Sequence, residues 1–362
     1  MKINFNDLKT QYNLFKKDFD DSISKVLENQ NFIMGSEVLE LEKTLSQFTG
    51  SPYSITCANG TDALQIALMA IDLQPNDEVI TTPFSFISTV EVIALLGGKP
   101  VFCEIDEASY NLDATKLEKL ITPKTKAIIP VSLFGQISDM DMINSIAAKH
   151  NLTVIEDAAQ SFGAIYKGKR SCNVSKIACT SFFPSKPLGC YGDGGAMFTT
   201  DEALAQKIKS IRSHGQEKKY YYQYVGLNSR LDTLQAAILN VKMKAFPEEC
   251  NLRDAAGARY TELLKNKSYL KTPIISEGNK SVYAQYCLRA TNRDEIMKSL
   301  AAKEIPTMIY YPHPLHLQKA FSYLGYKEGD FPITEMISKE IFSIPMSPYI
   351  KEEEQVFICQ NL

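Results

Sequence analysis

The chain has 362 residues, 44% of them hydrophobic and 22% charged, and a formal net charge of −3 at pH 7. These values are ordinary for a globular protein with a sizeable core, and the interspersed acids and bases give no reason to expect a nucleic-acid or membrane surface. Since the length exceeds what one hydrophobic core usually holds, we expect two domains.

Predicted strands and helices alternate along most of the chain. Short apolar runs indicate strands, and apolar residues at helical spacing, such as Ala63, Leu64 and Ala67, indicate helices. The predicted strands cover 54–57, 78–82, 100–105, 127–133, 153–155, 178–183 and 196–200, and the predicted helices cover 61–71, 88–96, 140–150, 202–213 and 234–241. The alternation predicts an α/β fold with a mostly parallel sheet covered by helices.

A domain boundary is expected near Phe246-Pro247-Glu248-Glu249, because a long polar helix and short strands are predicted after it. We therefore predict a large domain over residues 1–245, including an N-terminal segment, and a smaller α+β domain over residues 246–362.

The cysteines and the N-terminus indicate a cellular compartment. The eight cysteines form no CxxC pair, and several lie in apolar runs, as Cys103 does, which is typical of buried reduced thiols. The N-terminus lacks the apolar core of a signal peptide, and no stretch approaches the length of a membrane span. We expect a cytoplasmic protein whose partner is a small molecule, with no role for nucleic acid or membrane.

The first candidate site is a turn between a predicted strand and a predicted helix, at Asn59-Gly60-Thr61-Asp62. Free N–H groups and the dipole at a helix N-terminus bind anions, and a glycine lets the backbone approach a phosphate closely. The same residues also suit an ordinary helix cap with no ligand. The motif alone leaves both interpretations open.

The second candidate is an apolar strand that ends in two acids, Glu156 and Asp157. In open parallel sheets, ligands lie outside the carboxyl ends of the strands. A buried carboxylate there needs a cationic partner, and a protonated pyridine nitrogen would be one. A helix cap is the alternative.

The third candidate is Lys186, which lies between Pro184 and Pro187 and precedes a glycine-rich turn. Such a loop holds an amine in a fixed place, and partial burial would lower the pKa of the amine enough to make it a nucleophile. A surface lysine on a Pro/Gly loop is the alternative. The aromatic neighbours Phe182 and Phe183 weaken that alternative.

Three other segments carry functional residue types. Arg230 precedes an apolar helix and is either an exposed side chain or a clamp for a carboxylate or phosphate, within its own chain or across a subunit contact. The segment from Gly163 to Arg170 nearly matches a P-loop, but Arg170 stands where the Mg²⁺-binding hydroxyl belongs, so we exclude ATP binding there. His313 and His316 lie among prolines that prevent a ligand-bearing helix, so we expect no metal.

The order of these motifs resembles that of pyridoxal-phosphate (PLP) enzymes of the aspartate-aminotransferase fold, fold type I. The phosphate-type turn comes first, and Phe86, Asp157 and Lys186 follow. The chain closely resembles the DegT/DnrJ/StrS nucleotide-sugar aminotransferases almost end to end, from residues 31–35 through 155–163 to 311–316, and most specifically over 183–189. The resemblance implies a seven-stranded type of sheet in the large domain.

The resemblance also implies a role for each matching residue. Lys186 would bind PLP as a Schiff base and move the proton between substrate and cofactor, and Asp157 would pair with the pyridine nitrogen. The other implied cofactor contacts are Phe86 on the ring, Gln160 near the ring hydroxyl, Gly60, Thr61 and Ser181 at the phosphate, and Asn228 at the phosphate from the other subunit. The implied substrate contacts are Arg230 from the other subunit, Tyr311, Met34 and His316. Active sites shared in this way require a homodimer.

Within the family, segments 57–65, 171–173 and 281–286 are most similar to enzymes that aminate C3 of UDP-2-acetamido-2-deoxy-3-oxo-D-glucuronate for bacterial surface polysaccharides such as O-antigen or capsule. L-Glutamate would be the donor and would leave as 2-oxoglutarate, with pyridoxamine phosphate as the intermediate form of the cofactor. UDP-3-oxo-GlcNAc is the rival substrate, and no residue can be assigned to the C6 group.

Three other functional classes remain as alternatives. A sugar dehydratase of this fold typically lacks the cofactor-binding lysine, which is present here. A non-catalytic regulator would have no need of the intact Lys186 and Asp157. A nicotinamide dehydrogenase would need a GxGxxG motif after the first strand, which the chain lacks.

Overall fold

The computed structural model describes residues 3–362. Its strands are β1 (Tyr53–Cys57), β2 (Glu78–Thr81), β3 (Lys99–Phe102), β4 (Thr125–Ile128), β5 (Thr153–Asp157), β6 (Ile165–Tyr166), β7 (Lys169–Arg170), β8 (Ile177–Ser181), β9 (Gly195–Thr199), β10 (Gln216–Lys218), β11 (Tyr221–Tyr222), β12 (Asn279–Lys280), β13 (Tyr286–Arg289) and β14 (Ile341–Ile344). Its α-helices are α1 (Leu8–Leu14), α2 (Lys16–Asn29), α3 (Ser36–Thr49), α4 (Gly60–Ala70), α5 (Ser88–Leu95), α6 (Met140–Lys149), α7 (Glu202–Arg212), α8 (Thr233–Leu264), α9 (Arg293–Ala301), α10 (Pro332–Glu340) and α11 (Glu352–Asn361).

A seven-stranded sheet forms the centre of the large unit, in the order β1-β9-β8-β5-β4-β2-β3. Strand β9 runs antiparallel to both of its neighbours, and the other neighbouring pairs are parallel. The predicted α/β fold with a mostly parallel, seven-stranded sheet is therefore confirmed.

Helices cover both faces of this sheet because alternate residues of each buried strand point to opposite faces. On one face Ile128 and Val154 pack with α3, α6 and α8. On the other face Ala127 and Ile155 pack with α4, α5 and α7. The strands buried on both sides are the near-continuous apolar runs that the sequence shows.

The carboxyl ends of β1, β2, β5 and β8 meet at one edge of the sheet, since these strands run in the same direction. Three candidate segments follow those ends: the turn before α4, the acidic end of β5 and the loop after β8. Because β8 and β9 are antiparallel neighbours, the loop that carries Lys186 connects two strands that lie side by side. The topology therefore gathers the candidate residues in one place.

The boundary expected between residues 245 and 246 falls inside α8, which runs unbroken through Pro247. The helix continues because both of its halves have buried faces: Phe246 and Cys250 pack in the core of the large unit, and Tyr260 and Leu264 pack in a second core. That second core also includes β13, β14 and parts of α9 and α11. The change from one core to the other thus occurs within a helix, and no linker separates them.

Three further observations bear on the sequence-based expectations. The P-loop-like segment forms the hairpin β6–β7, whose turn has positive φ at Lys167 and Gly168, so it is not a P-loop. All eight cysteines are buried and free. No helix within residues 3–362 has the length and apolar character needed to cross a membrane.

Candidate active site

A large cavity lies at the carboxyl edge of the sheet, and the space in it that is open to the centre of a water molecule measures about 810 Å³. Eight of the predicted site residues line it: Gly60, Thr61, Phe86, Asp157, Gln160, Ser181, Lys186 and Tyr311. Residues that are far apart in sequence therefore meet around one space.

The N-terminus of α4 forms one end of the cavity. Asn59 caps the helix by accepting a hydrogen bond of 2.8 Å from the N–H of Asp62, which leaves the N–H groups of Gly60 and Thr61 without acceptors among residues 3–362. A Cβ atom at Gly60 would lie 2.7 Å from Ser181 Cβ, so only glycine fits this close approach. The helix cap is thus present, and two free N–H groups of the same turn are available to an anion.

Asp157 lies at the end of β5 with only 4% of its surface exposed. Its Oδ2 accepts a hydrogen bond of 2.7 Å from Thr89 Oγ1, and its Oδ1 accepts one of 3.2 Å from the N–H of Ala159. Burial raises the pKa of Asp157, although these hydrogen bonds and the charge of Lys186 lower it. Because the carboxylate forms no ion pair within residues 3–362, a cation bound in the cavity would relieve the cost of its burial.

Lys186 lies on the loop between β8 and β9, which folds tightly on itself. The N–H of Lys186 donates to the carbonyl of Phe183 over 2.9 Å, and a Cβ at Gly189 would lie 2.5 Å from the carbonyl oxygen of Pro184. Burial lowers the pKa of Lys186, and the charge of Asp157 opposes that change. The amine is therefore easier to deprotonate than an ordinary lysine, as a nucleophile requires.

Aromatic and amide groups complete the wall. Phe86 is 57% exposed in the cavity, although it is a large apolar side chain. Gln160 accepts a hydrogen bond from the N–H of Phe134 at 2.8 Å and donates to the hydroxyl of Tyr311 at 2.7 Å, so both ends of its amide are fixed. Phe84 packs edge-on against Tyr311 at 5.7 Å.

These groups fit PLP in their chemistry. Two free N–H groups at a helix end suit a phosphate, the buried carboxylate of Asp157 suits a protonated pyridine nitrogen, and the exposed face of Phe86 suits an aromatic ring. Within residues 3–362, Lys186 is the one lysine that lines this cavity. No group of three or more His, Cys, Asp or Glu side chains within residues 3–362 is arranged to hold a metal ion.

Comparison with known proteins agrees with this geometry. The model of the DegT/DnrJ/EryC1/StrS aminotransferase family matches residues 13–362. The chain belongs to that family. It is a PLP-dependent aminotransferase of fold type I, as the resemblance implied.

Three curated relatives are similar over nearly the whole chain. UDP-2-acetamido-2-deoxy-3-oxo-D-glucuronate aminotransferase of Pseudomonas aeruginosa is 52% identical over 99% of both chains. The pleiotropic regulatory protein of Geobacillus stearothermophilus is 44% identical over 100% of this chain and 98% of its own. UDP-N-acetyl-3-dehydro-alpha-D-glucosamine 3-aminotransferase of Acidithiobacillus ferrooxidans is 37% identical over 96% of this chain and 94% of its own.

Two solved structures of this fold contain either a ketimine intermediate or the cofactor PMP. DesV of S. venezuelae in complex with a ketimine intermediate has a TM-score of 0.97 and 33% identity, and covers 99% of this chain and 97% of its own. NtdA of Bacillus subtilis with the bound cofactor PMP has a TM-score of 0.88 and 33% identity, and covers 95% of this chain and 80% of its own.

Asn228 and Arg230 lie beside the main cavity of this aminotransferase rather than in it. They line an open neighbouring pocket, which shares Asn59 and Asp193 with the main cavity. Ser229 between them accepts a hydrogen bond of 3.3 Å from the N–H of Ala58 and so holds this loop against the turn before α4. The Nε atom of Arg230 is buried and has no acceptor within residues 3–362.

The structure does not bring Met34 and His316 to the cavity wall. Met34 has positive φ and packs, partly buried, against the core of the large unit. The buried ring of His316 packs against Phe331, and its Nε2 lies 3.0 Å from Glu335 Oε1. Within one chain these two residues therefore pack into the fold and do not line this cavity, and the substrate contacts predicted for them stay predictions.

Sequence reasoning missed several residues of the site. Thr89, which holds Asp157, is the most important, and its position in the first turn of a predicted helix beyond Phe86 was the available signal. Asp193 of the glycine-rich turn, and Gln285 and Tyr310 from the far part of the chain, also line the cavity. The last two reach it only through the tertiary fold, so no local pattern could have indicated them.

Proposed function

We propose that this aminotransferase transfers the amino group of L-glutamate to the C3 keto group of UDP-2-acetamido-2-deoxy-3-oxo-D-glucuronate. The observation that supports this substrate is the 52% identity, over 99% of both chains, with the Pseudomonas aeruginosa enzyme of that name. The rival is UDP-3-oxo-GlcNAc, whose Acidithiobacillus ferrooxidans aminotransferase is 37% identical. The difference in identity favours the uronate.

Each residue of the site has a defined task in the proposed reaction. PLP, when bound, supplies the electron sink for removal of the α-proton of the amino donor. The N–H groups of Gly60 and Thr61 and the hydroxyl of Ser181 would hold its phosphate, and Asp157 would keep its ring nitrogen protonated. Phe86 would support the ring, and the amide of Gln160 would lie near its hydroxyl.

Lys186 would carry the proton. Its amine is held on a fixed loop, and its lowered pKa lets it serve as a base when it is neutral and as an acid when it is charged. The same amine would take the proton from the donor carbon in the first half-reaction and return one to the sugar carbon in the second. The two half-reactions would share one cavity, so glutamate and the sugar nucleotide would occupy it in turn.

The working unit would be a homodimer in which Asn228 reaches the phosphate and Arg230 the substrate of the partner's site. The open pocket around these residues and the unpartnered Nε of Arg230 support an acceptor from outside the chain. Mixing subunits tests this directly, because Lys186→Ala and Arg230→Ala homodimers should each be inactive. A 1:1 mixture should recover about one quarter of wild-type activity, since half the dimers would have one intact site. If the mixture stays inactive, the sites are not shared.

The reaction itself is tested by spectroscopy and by running it backwards. The holoenzyme should show the visible band of PLP bound to Lys186, and glutamate should convert it to the pyridoxamine phosphate band. The matched pair of amino sugars is UDP-linked 2-acetamido-3-amino-glucuronate and its 6-hydroxyl analogue, each added with 2-oxoglutarate. Consumption of 2-oxoglutarate with the uronate alone supports the proposal.

Other outcomes would assign a different function. Reaction with the 6-hydroxyl analogue instead would make UDP-3-oxo-GlcNAc the substrate. Stoichiometric PLP without a glutamate half-reaction would favour a non-catalytic regulator. The 44% identical relative from Geobacillus stearothermophilus is named a pleiotropic regulatory protein. Lys186→Ala should abolish turnover while still binding pyridoxamine phosphate, and normal steady-state turnover by this variant would refute the assignment of Lys186.

If the substrate proposal holds, the enzyme would act in the cytoplasm on a precursor of a bacterial surface polysaccharide such as O-antigen or capsule. Deletion of the gene from its host, followed by analysis of the surface glycan, tests this role. Loss of a diamino uronic acid from the glycan is the expected result, and an unchanged glycan would contradict it.

A further inference from the structure

A buried group of charges lies behind the loop that carries Lys186. Lys242, Glu249 and Arg253 are all on α8, with 2%, 2% and 4% of their surfaces exposed. Their spacing of seven and four residues places them along one face of the helix. Charged side chains are almost never buried to this extent unless they are paired.

The three side chains border a small cavity together with the lysine loop. Pro184, Lys186 and Gly189 form its other side. The space in it that is open to the centre of a water molecule is about 20 Å³. Since about 10–15 Å³ suffices for one water, the cavity has room for a water molecule and little more.

Neither cation forms an ion pair within residues 3–362, although the carboxylates of Glu249 and Asp7 border the same cavity. Lys242 Nζ lies 4.5 Å from the centre of the Tyr191 ring, and it forms no hydrogen bond and no ion pair within residues 3–362. Arg253 Nη1 donates to the carbonyl of Tyr283 at 3.4 Å, whereas its buried Nε has no acceptor within the same residues. Lys242 Nζ and Arg253 Nε therefore lack the hydrogen-bond acceptors that buried donors require.

Glu249 is fixed on one side only. Its Oε1 accepts hydrogen bonds from Gln11 Nε2 at 2.7 Å and from the hydroxyl of Tyr349. These bonds join α8 to the N-terminal helix α1 and to the segment after β14. The second carboxylate oxygen receives no hydrogen bond within residues 3–362 and is free to accept one from a molecule in the cavity.

We propose that this cavity holds one ordered water that accepts hydrogen bonds from Lys242 and Arg253 and donates to Glu249, and that the resulting cluster positions the loop of Lys186. A water satisfies all three groups, whereas an anion of similar size would face the carboxylate of Glu249. Asn6 Nδ2 donates to the carbonyl of Ser185 over 3.2 Å, so the N-terminal segment contacts the lysine loop as well as the cluster. Lys242 is thus a positioning residue for Lys186, a role that rests on the proposed function of Lys186.

The test compares Lys242→Met with Lys244→Met in the holoenzyme. Lys244 is exposed on the same helix, so it provides the same substitution without the cluster. A small displacement of a catalytic group can cost about 100-fold in rate, so the glutamate half-reaction of Lys242→Met should slow by at least about tenfold while the Kd for glutamate stays unchanged. The pH midpoint of the visible band of lysine-bound PLP should rise, because a nearby positive charge is lost. Lys242→Arg keeps both charge and donor and should restore rate and midpoint toward wild-type values.

Equal half-reaction rates and equal pH midpoints for Lys242→Met and Lys244→Met would overturn the proposal, whatever happens to the unfolding temperature. A crystal structure of the wild-type holoenzyme that resolves ordered water gives a second test that needs no variant. Water in contact with Lys242, Glu249 and Arg253 supports the proposal, and a dry cavity or a bound anion overturns it. A wild-type enzyme without the visible band would overturn the proposed function and this inference together, whereas an intact band with unaltered variants overturns only the inference.

Discussion

Thr89→Val tests how the protein keeps Asp157 charged. Thr89 is fully buried, and its hydroxyl donates to Asp157 Oδ2 at 2.7 Å. Valine keeps the shape of threonine but removes the donor. A hydrogen bond to a charged group contributes about 1.5–3 kcal/mol, and 1.36 kcal/mol corresponds to one pKa unit. The substitution should therefore raise the pKa of Asp157 by about 1–2 units.

The consequence follows from the sign of that shift. Asp157 pairs with a protonated ring nitrogen only as a carboxylate. If its pKa is higher, the carboxylate becomes protonated at a higher pH. The acidic limb of kcat/KM for glutamate should move up by about 1–2 pH units, and at pH values below the pKa of Asp157 PLP should bind about tenfold to 100-fold more weakly, because a smaller fraction of Asp157 is ionised. The pH profile and PLP titration of the apoenzyme measure these two effects.

Two controls separate this effect from a general loss of structure. Thr89→Ser retains the hydroxyl and should behave as wild type in both assays. In an Asp157→Asn background, Thr89→Val should have little further effect, because the charge that the hydroxyl serves is gone. If Thr89→Val leaves both the acidic limb and PLP affinity unchanged, the hydrogen bond does not maintain the charge of Asp157, and the reasoning is refuted.

Three further substitutions test other contacts. Burial raises the pKa of Glu156 from 4.5 to about 7, so its contribution to stability is full below pH 4.5 and is lost as pH rises through 7. As the pH rises from 4.5 to 8, the free energy of unfolding of Glu156→Gln should increase by about 3 kcal/mol relative to that of wild type, as measured by urea unfolding. Parallel curves of unfolding free energy against pH for the two proteins would contradict this. Gly60→Ala places a Cβ 2.7 Å from Ser181 Cβ and should weaken PLP binding at least about tenfold in a fluorescence titration, whereas unchanged affinity would contradict the close approach. Tyr311→Phe frees one end of the Gln160 amide, which should cost about 1 kcal/mol in thermal unfolding, and no change would show that this bond contributes nothing.

The sequence was informative about the sheet because its strands are buried on both sides. Runs such as Val154-Ile155 are apolar whichever face each residue points to, and the predicted strands overlap all seven strands of the sheet. The exact ends were less accurate: the strand predicted over 127–133 ends at Ile128, because Pro130 cannot donate to a neighbouring strand. Local composition also misled at Pro247, where burial on both sides of the proline keeps α8 continuous.

The site was predictable to the extent that its chemistry is local. Asp157 ends strand β5 and Lys186 lies in the loop after β8, so their places in the chain indicated their places in space. His316 shows the limit of inferring a contact from a local motif. Its segment resembles that of the family, but its ring nitrogen lies within hydrogen-bond distance of Glu335. Whether a side chain reaches a cavity depends on which buried partner it finds, and that partner lies 19 residues away in the chain.

Recognition of the sugar is harder to infer from the sequence than the chemistry of amino transfer, and the cavity shows why. The groups expected to contact PLP come from the strand ends of the large unit, where topology fixes them. The far wall is built by Gln285, Ile309, Tyr310 and Tyr311, which follow α8 and lie outside the strands of the seven-stranded sheet. Substitutions there can change which sugar fits without disturbing Lys186 or Asp157. Family membership therefore establishes the amino-transfer chemistry, whereas a comparison of the uronate with its 6-hydroxyl analogue is needed to establish the sugar.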